Sequence, residues 1–135
     1  MSACAYVGSQ THIYNDSLRN NLTLWNEAIT DTHIKEALER VNLLSFLSRI
    51  DEQVSDGSFS EGQKQRIGLI RAFLKGSSVV IFDEATANLD HNNATRIEHL
   101  LLSDPNITYI TVTHHLIKEN EPYFDKIIRL GEGTE

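Results

Sequence analysis

Cysteine is almost missing from this chain: Cys4 stands alone among 135 residues. No intrachain disulfide can form, which excludes a disulfide-stapled scaffold and makes a reducing cytoplasm the natural expectation. Proline is nearly as scarce, and Pro105 and Pro122 are isolated, so there is no proline-rich linker or recognition tract. Positive charge is in the minority, with 12 Lys and Arg against 19 Asp and Glu and a net charge of -7. A surface that holds nucleic acid by neutralising its phosphates is therefore not expected. No apolar run approaches the roughly 20 residues that span a bilayer, and the first eight residues lack the basic and apolar regions of a signal peptide. Any membrane role is expected to come through a partner. Internal repeats and low-complexity tracts are also lacking.

What is present alternates between two periods. Residues 3–7 are short, apolar and β-prone, and they run into the polar loop Gly8-Ser9-Gln10. Asp16 or Ser17 is placed to cap a helical turn over 18–22, and Trp25 reads as a packing residue. Thr30 is an N-cap candidate with Asp31 in the first turn, and Ile34, Ala37, Leu38 and Val41 recur at i, i+3, i+4 and i+7. A further short helical piece is expected over 43–50 and a loop over 51–58. Ser60-Glu61-Gly62-Gln63 fits a capping box, and Ile67, Ile70, Phe73 and Leu74 give the helix behind it an apolar face that stops at Gly76-Ser77. Residues 78–82 form a continuous apolar run, the pattern of a parallel strand covered on both faces. A helix carrying Ala94, Ile97 and Leu101 follows, then a β-branched strand over 107–112, then a last short strand over 126–130. Strands alternating with helices imply an α/β fold with a mainly parallel sheet.

In an open parallel sheet, ligands bind beyond the carboxyl ends of the strands. Three polar sites fall at such ends: Ser9-Gln10, Asp83-Glu84 and His114-His115. An aspartate behind four apolar residues is the Walker B arrangement, whose carboxylate holds Mg²⁺ directly or through water. The adjacent Glu84 suits a base that polarises water attacking a γ-phosphate. The start of the Ser60 helix, with free N-H groups and a hydroxyl, reads equally as a structural cap and as an anion site.

These residues together resemble the ATP-binding domain of an ABC transporter. Phe59-Ser60-Glu61-Gly62-Gln63 resembles the signature motif L-S-G-G-Q, and residues 79–84 resemble Walker B at the matching distance. Ala87-Asn88-Leu89-Asp90 is similar to the D-loop S-A-L-D, and His114 stands at the switch histidine. Residues 6–22 resemble the Q-loop region of exporter-type domains, with Ser17-Leu18-Arg19-Asn20-Asn21-Leu22 matching T-I-R-E-N-I. The Q-loop glutamine falls on Ser9 in a gapless match and on Gln10 one residue later. The resemblance implies a head-to-tail dimer of two ATP-binding domains with ATP and Mg²⁺ between them. In it Asp83 and Gln10 would serve the metal, Glu84 would be the general base, and His114 would touch the γ-phosphate. Ser60, Gly62 and Gln63 would serve the partner's nucleotide, and Asp90 would communicate across the interface. Glu61 replaces a signature glycine, and altered nucleotide contact is expected there.

No G-x-x-x-x-G-K-[ST] phosphate-binding loop occurs within these 135 residues. The expected fold is thus a partial P-loop NTPase (ABC ATPase) fold, mainly parallel sheet with a helical signature subdomain over about 16–75 and the rest of the ATPase core in 1–15 and 76–135. The apolar flanks of the sheet should lie uncovered. The implied function is the later part of an exporter's ATP-binding domain, coupling ATP hydrolysis to transport in a complete protein but not hydrolysing ATP alone. The implied partners are a second ATP-binding domain and a transmembrane domain, and the place is the cytoplasmic side of the cell membrane. The alternative is a non-hydrolysing regulatory module that lends its signature face to a partner ATPase. A chromosome-maintenance or DNA-repair ATPase fits poorly, because only a compact interval separates Gln10 from Phe59.

Overall fold

The computed structural model describes residues 4–131. Its centre is a three-stranded parallel sheet in the order β1 (Cys4–Val7), β4 (Val79–Asp83), β5 (Thr108–Val112). Val7 lies opposite Phe82, and Asp83 opposite Val112, so all three carboxyl ends reach one edge. A second, antiparallel pair joins β2 (Asp16–Ser17) to β3 (Gln53–Val54) and pins the loop expected over 51–58 to the start of a helix.

The helices begin and end on local chemistry. Ser17 caps α1 (Leu18–Thr23) by accepting from the Asn20 amide, and Thr30 caps α2 (Asp31–Arg40) through His33. Ser60 opens α3 (Glu61–Lys75) with a complete capping box, and Gly76, at φ 71°, closes it in the left-handed conformation that glycine adopts without strain. Asp90 caps α4 (His91–Ser103). The 43–50 piece is a 3₁₀ helix, Leu44–Arg49, and two further 3₁₀ turns are Asp56–Ser58 and Lys118–Tyr123.

The core lies on one face of the sheet. Ala5, Val7, Val80 and Phe82 point into it, where they meet Ile67 and Ile70 of α3 and Ile97 and Leu101 of α4. The stripe Ile34, Ala37, Leu38 and Val41 is buried as its spacing requires. Tyr109 extends this face, edge-on to Phe82, and its hydroxyl donates to the buried Glu98 of α4 at 2.6 Å. Burial and the neighbouring carboxylate push that phenol well above its ordinary range. Asn120 donates to the same carboxylate at 3.1 Å and fastens the Lys118–Tyr123 turn to α4.

Two expectations are corrected. The strand β4 is covered on one face only: Val80 and Phe82 are buried, whereas Val79, Ile81 and Asp83 are half-buried and share their face with the exposed Tyr6, Ile110 and Val112. A continuous apolar run does not say whether both sides find a cover. Residues 126–130 do not form a strand, and Ile128 is 70% and Leu130 88% exposed. A strand needs a neighbouring ladder to satisfy its backbone, and among the described residues nothing pairs with the outer edge of β5. The sequence of residues 131–135 suggests an interrupted turn, of which only Gly131 is among the described residues; Ala3 also lies outside them. Among the described residues no helix is long and apolar enough to cross a membrane.

Candidate functional site

The carboxyl edge of the sheet brings together Asp83, Glu84 and His114, one from the end of β4, one just beyond it and one beyond β5. Asp83 accepts from the Tyr6 hydroxyl at 2.5 Å, and this bond raises the Tyr6 pKa. Tyr6 pairs with Ile81, so Asp83 is two residues farther along on the same face, within diagonal reach. The bond occupies Oδ2, and among the described residues Oδ1 takes no hydrogen bond.

Glu84 carries the main backbone irregularity of the edge. Its φ is 57°, a left-handed conformation that costs a non-glycine residue energy and persists only under surrounding restraint. The restraints are visible. Its amide donates to the Val112 carbonyl at 3.0 Å, its carbonyl accepts from Ala87 at 3.2 Å, and its Oε1 accepts from the His114 amide at 2.9 Å. The His114 ring stands 3.7 Å away through Nε2 and is otherwise open to solvent. The chain therefore brings a carboxylate and an imidazole within 3.7 Å of each other at the carboxyl edge.

The other predicted residues lie on two adjoining pieces. At the start of α3, the Gln63 amide donates to Ser60 Oγ at 3.1 Å, and Gln63 Oε1 accepts from the Ser60 amide at 2.9 Å. The Gln63 side chain is thus folded back onto the cap. Glu61 is drawn sideways into an ion pair with Lys64 at 2.8 Å, and Lys64 also meets Asp56 at 3.0 Å. These bonds, first that to Glu61, raise the Lys64 pKa. Gly62 faces the 84–90 turn so closely that a Cβ there would fall 2.8 Å from the Asn88 carbonyl oxygen. Asp90 accepts from the Asn93 amide at 2.8 Å, which lowers its pKa, and accepts from the Asn93 side chain at 2.9 Å.

Gln10 is exposed in the loop after β1, makes no side-chain hydrogen bond among the described residues, and lines a cleft of about 500 Å³ with Arg71 and Lys75. Ser9 contributes its carbonyl to the neighbourhood of Glu84 through a side chain of α3, described below. Among the described residues no three His, Cys, Asp or Glu side chains form a metal cage. The donor set is of a different kind: an edge carboxylate with one oxygen spare and a second carboxylate beside it. It suits Mg²⁺, which keeps waters and takes one or two carboxylates plus substrate phosphates.

Three structural residues escaped the sequence reading. Asn21 is buried and fully engaged: it takes the Tyr14 amide at 2.8 Å and gives to the Tyr14 and Ser17 carbonyls at 3.0 Å each, while its own carbonyl receives Arg71 at 2.7 Å. It shapes the loop that carries Gln10. Tyr6 depends on strand register, which no local pattern supplies. Gln65 is a polar residue at the head of the buried series Gln65, Leu69, Ala72, and that spacing was a readable signal.

The parallel sheet with its helices is that of a partial P-loop NTPase fold. It superposes on a bacterial Atm1-family ABC exporter with ATP bound at a TM-score of 0.74 and 22% identity, over 83% of this chain and 21% of that one. Residues 3–87, more than half of the chain, match the ABC transporter family. The chain belongs to that family. A probable ABC transporter ATP-binding/permease protein of Haemophilus influenzae is 33% identical over 136 residues, covering 96% of this chain and 24% of that protein. The ATP-dependent lipid A-core flippase of Francisella novicida is 30% identical over 140 residues, covering 98% and 23%. The chain spans about a quarter of the length of these relatives.

Proposed function

We propose that the chain is the later part of an exporter's ATP-binding domain and that its strand-end edge is the hydrolytic half of a nucleotide site. The observation that carries this is the pairing at the edge: Glu84 is held in a strained conformation by the His114 amide and Val112 carbonyl, directly after Asp83. In this reading Asp83 offers its spare Oδ1 to Mg²⁺, directly or through water, with Gln10 brought in from the cleft. When bound, the metal neutralises charge on the β- and γ-phosphates. Glu84 orients and deprotonates the attacking water as general base, and His114 donates to the γ-phosphate.

The start of α3 serves the nucleotide of a second ATP-binding domain, through Ser60, Gly62, Gln63 and the free amides of the first turn. The Glu61–Lys64 ion pair supports this, since it turns the carboxylate toward a cation in the place where the family has glycine. Asp90, beside the close Gly62–Asn88 contact, carries changes across the interface. Residues 16–75 act as the helical subdomain and 1–15 with 76–135 as part of the ATPase core. The phosphate-cradling loop comes from a segment outside these 135 residues, and the open sheet face with the bare edge of β5 is where it would settle. The complete assembly joins a transmembrane domain at the cytoplasmic side of the membrane and couples ATP hydrolysis to export.

The test is titration of MgATP into the purified chain, by calorimetry and by phosphate release. Neither micromolar binding nor turnover is expected, because the amide cradle and lysine that hold the β- and γ-phosphates are not among these residues. Micromolar affinity, or turnover at the rate of an intact domain, overturns the reading.

A further inference from the structure

One face of α3 carries Gly62, Gln65 and Gly68 at i, i+3 and i+6. The two glycines mark close approaches. A Cβ at Gly62 would stand 2.8 Å from the Asn88 carbonyl oxygen, and one at Gly68 would stand 2.8 Å from Thr11 Oγ1. The helix is thus pressed against two separate loops, the 84–90 turn and the loop after β1. Between the glycines lies Gln65, 1% exposed.

Its amide reaches both loops. Oε1 accepts from the Asn88 backbone N-H at 3.0 Å, while Nε2 faces the Glu84 carbonyl at 3.4 Å and the Ser9 carbonyl at 3.5 Å. The last two are at the long end of hydrogen bonding, yet the orientation is settled by chemistry. The reverse would oppose an NH₂ to an N-H and an oxygen to two carbonyls. A buried polar side chain left unpaired costs about 1–3 kcal/mol, so Gln65 and these backbone groups hold one another in place. One of the groups is the carbonyl of Glu84, the residue in the left-handed conformation.

We infer that Gln65 is a positioning residue that locks the loop after β1 and the 84–90 turn to α3. A displacement of the Ser60 helix start then reaches the backbone of Glu84 without passing through solvent. The inference rests on the proposed roles of Ser60 and Glu84 for its meaning in catalysis, but the mechanical tie is measurable without ATP. A failed nucleotide reading and a failed tie are therefore told apart.

The experiment is amide hydrogen exchange of the chain, read by mass spectrometry with residue-level fragmentation, for wild type, Gln65→Met and Gln65→Glu. Gln65→Met removes both donor and acceptor at similar length. Gln65→Glu keeps an acceptor for the Asn88 N-H and removes the donor to Ser9 and Glu84. In Gln65→Met the Asn88 and Ala87 amides should exchange at least tenfold faster than in wild type, with Ile70 and Phe82 unchanged. In Gln65→Glu, Asn88 should stay slow while Ala87 quickens, a partial rescue that a plain loss of stability does not give. Should Gln65→Met fail to fold, Gln65→Asn, which shortens the reach by one methylene, carries the same comparison. Unchanged Asn88 exchange in Gln65→Met or Gln65→Asn overturns the inference, as does acceleration of every amide by one factor.

Discussion

Gly62 and Gly68 lie on the same helix and would each place a new methyl 2.8 Å from a neighbouring oxygen, but the oxygens differ in kind. At Gly68 the neighbour is Thr11 Oγ1, the end of a side chain that can rotate away, and the next atom is Val7 Cγ1 at an ordinary 3.6 Å. At Gly62 the neighbour is the Asn88 carbonyl, part of a turn fixed by the Asn88 N-H bond to Gln65 and by Ala87 and Leu89 amide bonds. Replacing a helical glycine by alanine gains up to about 1 kcal/mol in helix propensity, less near the helix start. Forcing a methyl against fixed backbone costs about 1–3 kcal/mol. Gly68→Ala should therefore be neutral or stabilising by up to about 1 kcal/mol, and Gly62→Ala destabilising by about 1–2 kcal/mol. Urea unfolding followed by circular dichroism measures both, with an unchanged denaturant slope as the check that only the folded state has moved. A Gly62→Ala chain as stable as Gly68→Ala would refute the reasoning, because it would mean that the 84–90 turn yields freely.

Asn21→Leu should cost about 2–4 kcal/mol in the same assay, since it strips partners from Tyr14, Ser17 and the half-buried Arg71; a loss within about 0.5 kcal/mol would show that the loop holds itself. Asp90 has its pKa depressed by the Asn93 amide, so its contribution is complete above the ordinary carboxylate value of about 4 and fades as pH falls through the lower folded value. Asp90→Asn keeps an acceptor that does not titrate, and its stability should fall less steeply in acid than that of wild type; parallel acid profiles would contradict the cap's ionic character.

The legible features were those decided within a few residues. Ser17, Thr30, Ser60 and Gly76 bound their helices because a cap answers to its own turn. The shared edge of Asp83, Glu84 and His114 was readable because each follows an apolar run and parallel strands end together. The misses depended on partners far along the chain. A strand at 126–130 has the right residues, yet pairing is a property of two strands, and among the described residues no strand pairs with it. Cover over the second face of β4 likewise cannot be read from β4. Tyr6 finds Asp83 only once β1 and β4 are in register, and Gln65 finds Asn88, Glu84 and Ser9 only once two loops close on α3.

The central claim is that Asp83 and Glu84 form the hydrolytic edge of a nucleotide site completed by a phosphate-binding loop from elsewhere. The direct test joins this chain behind a segment that carries the G-x-x-x-x-G-K-[ST] loop and measures ATP bound and phosphate released, with Glu84 intact and as Glu84→Gln. Binding is expected in both proteins and turnover only with Glu84, at least about a hundredfold above the Gln variant, as follows from loss of a general base. Equal turnover in the two proteins, or turnover by the unjoined chain, would contradict it.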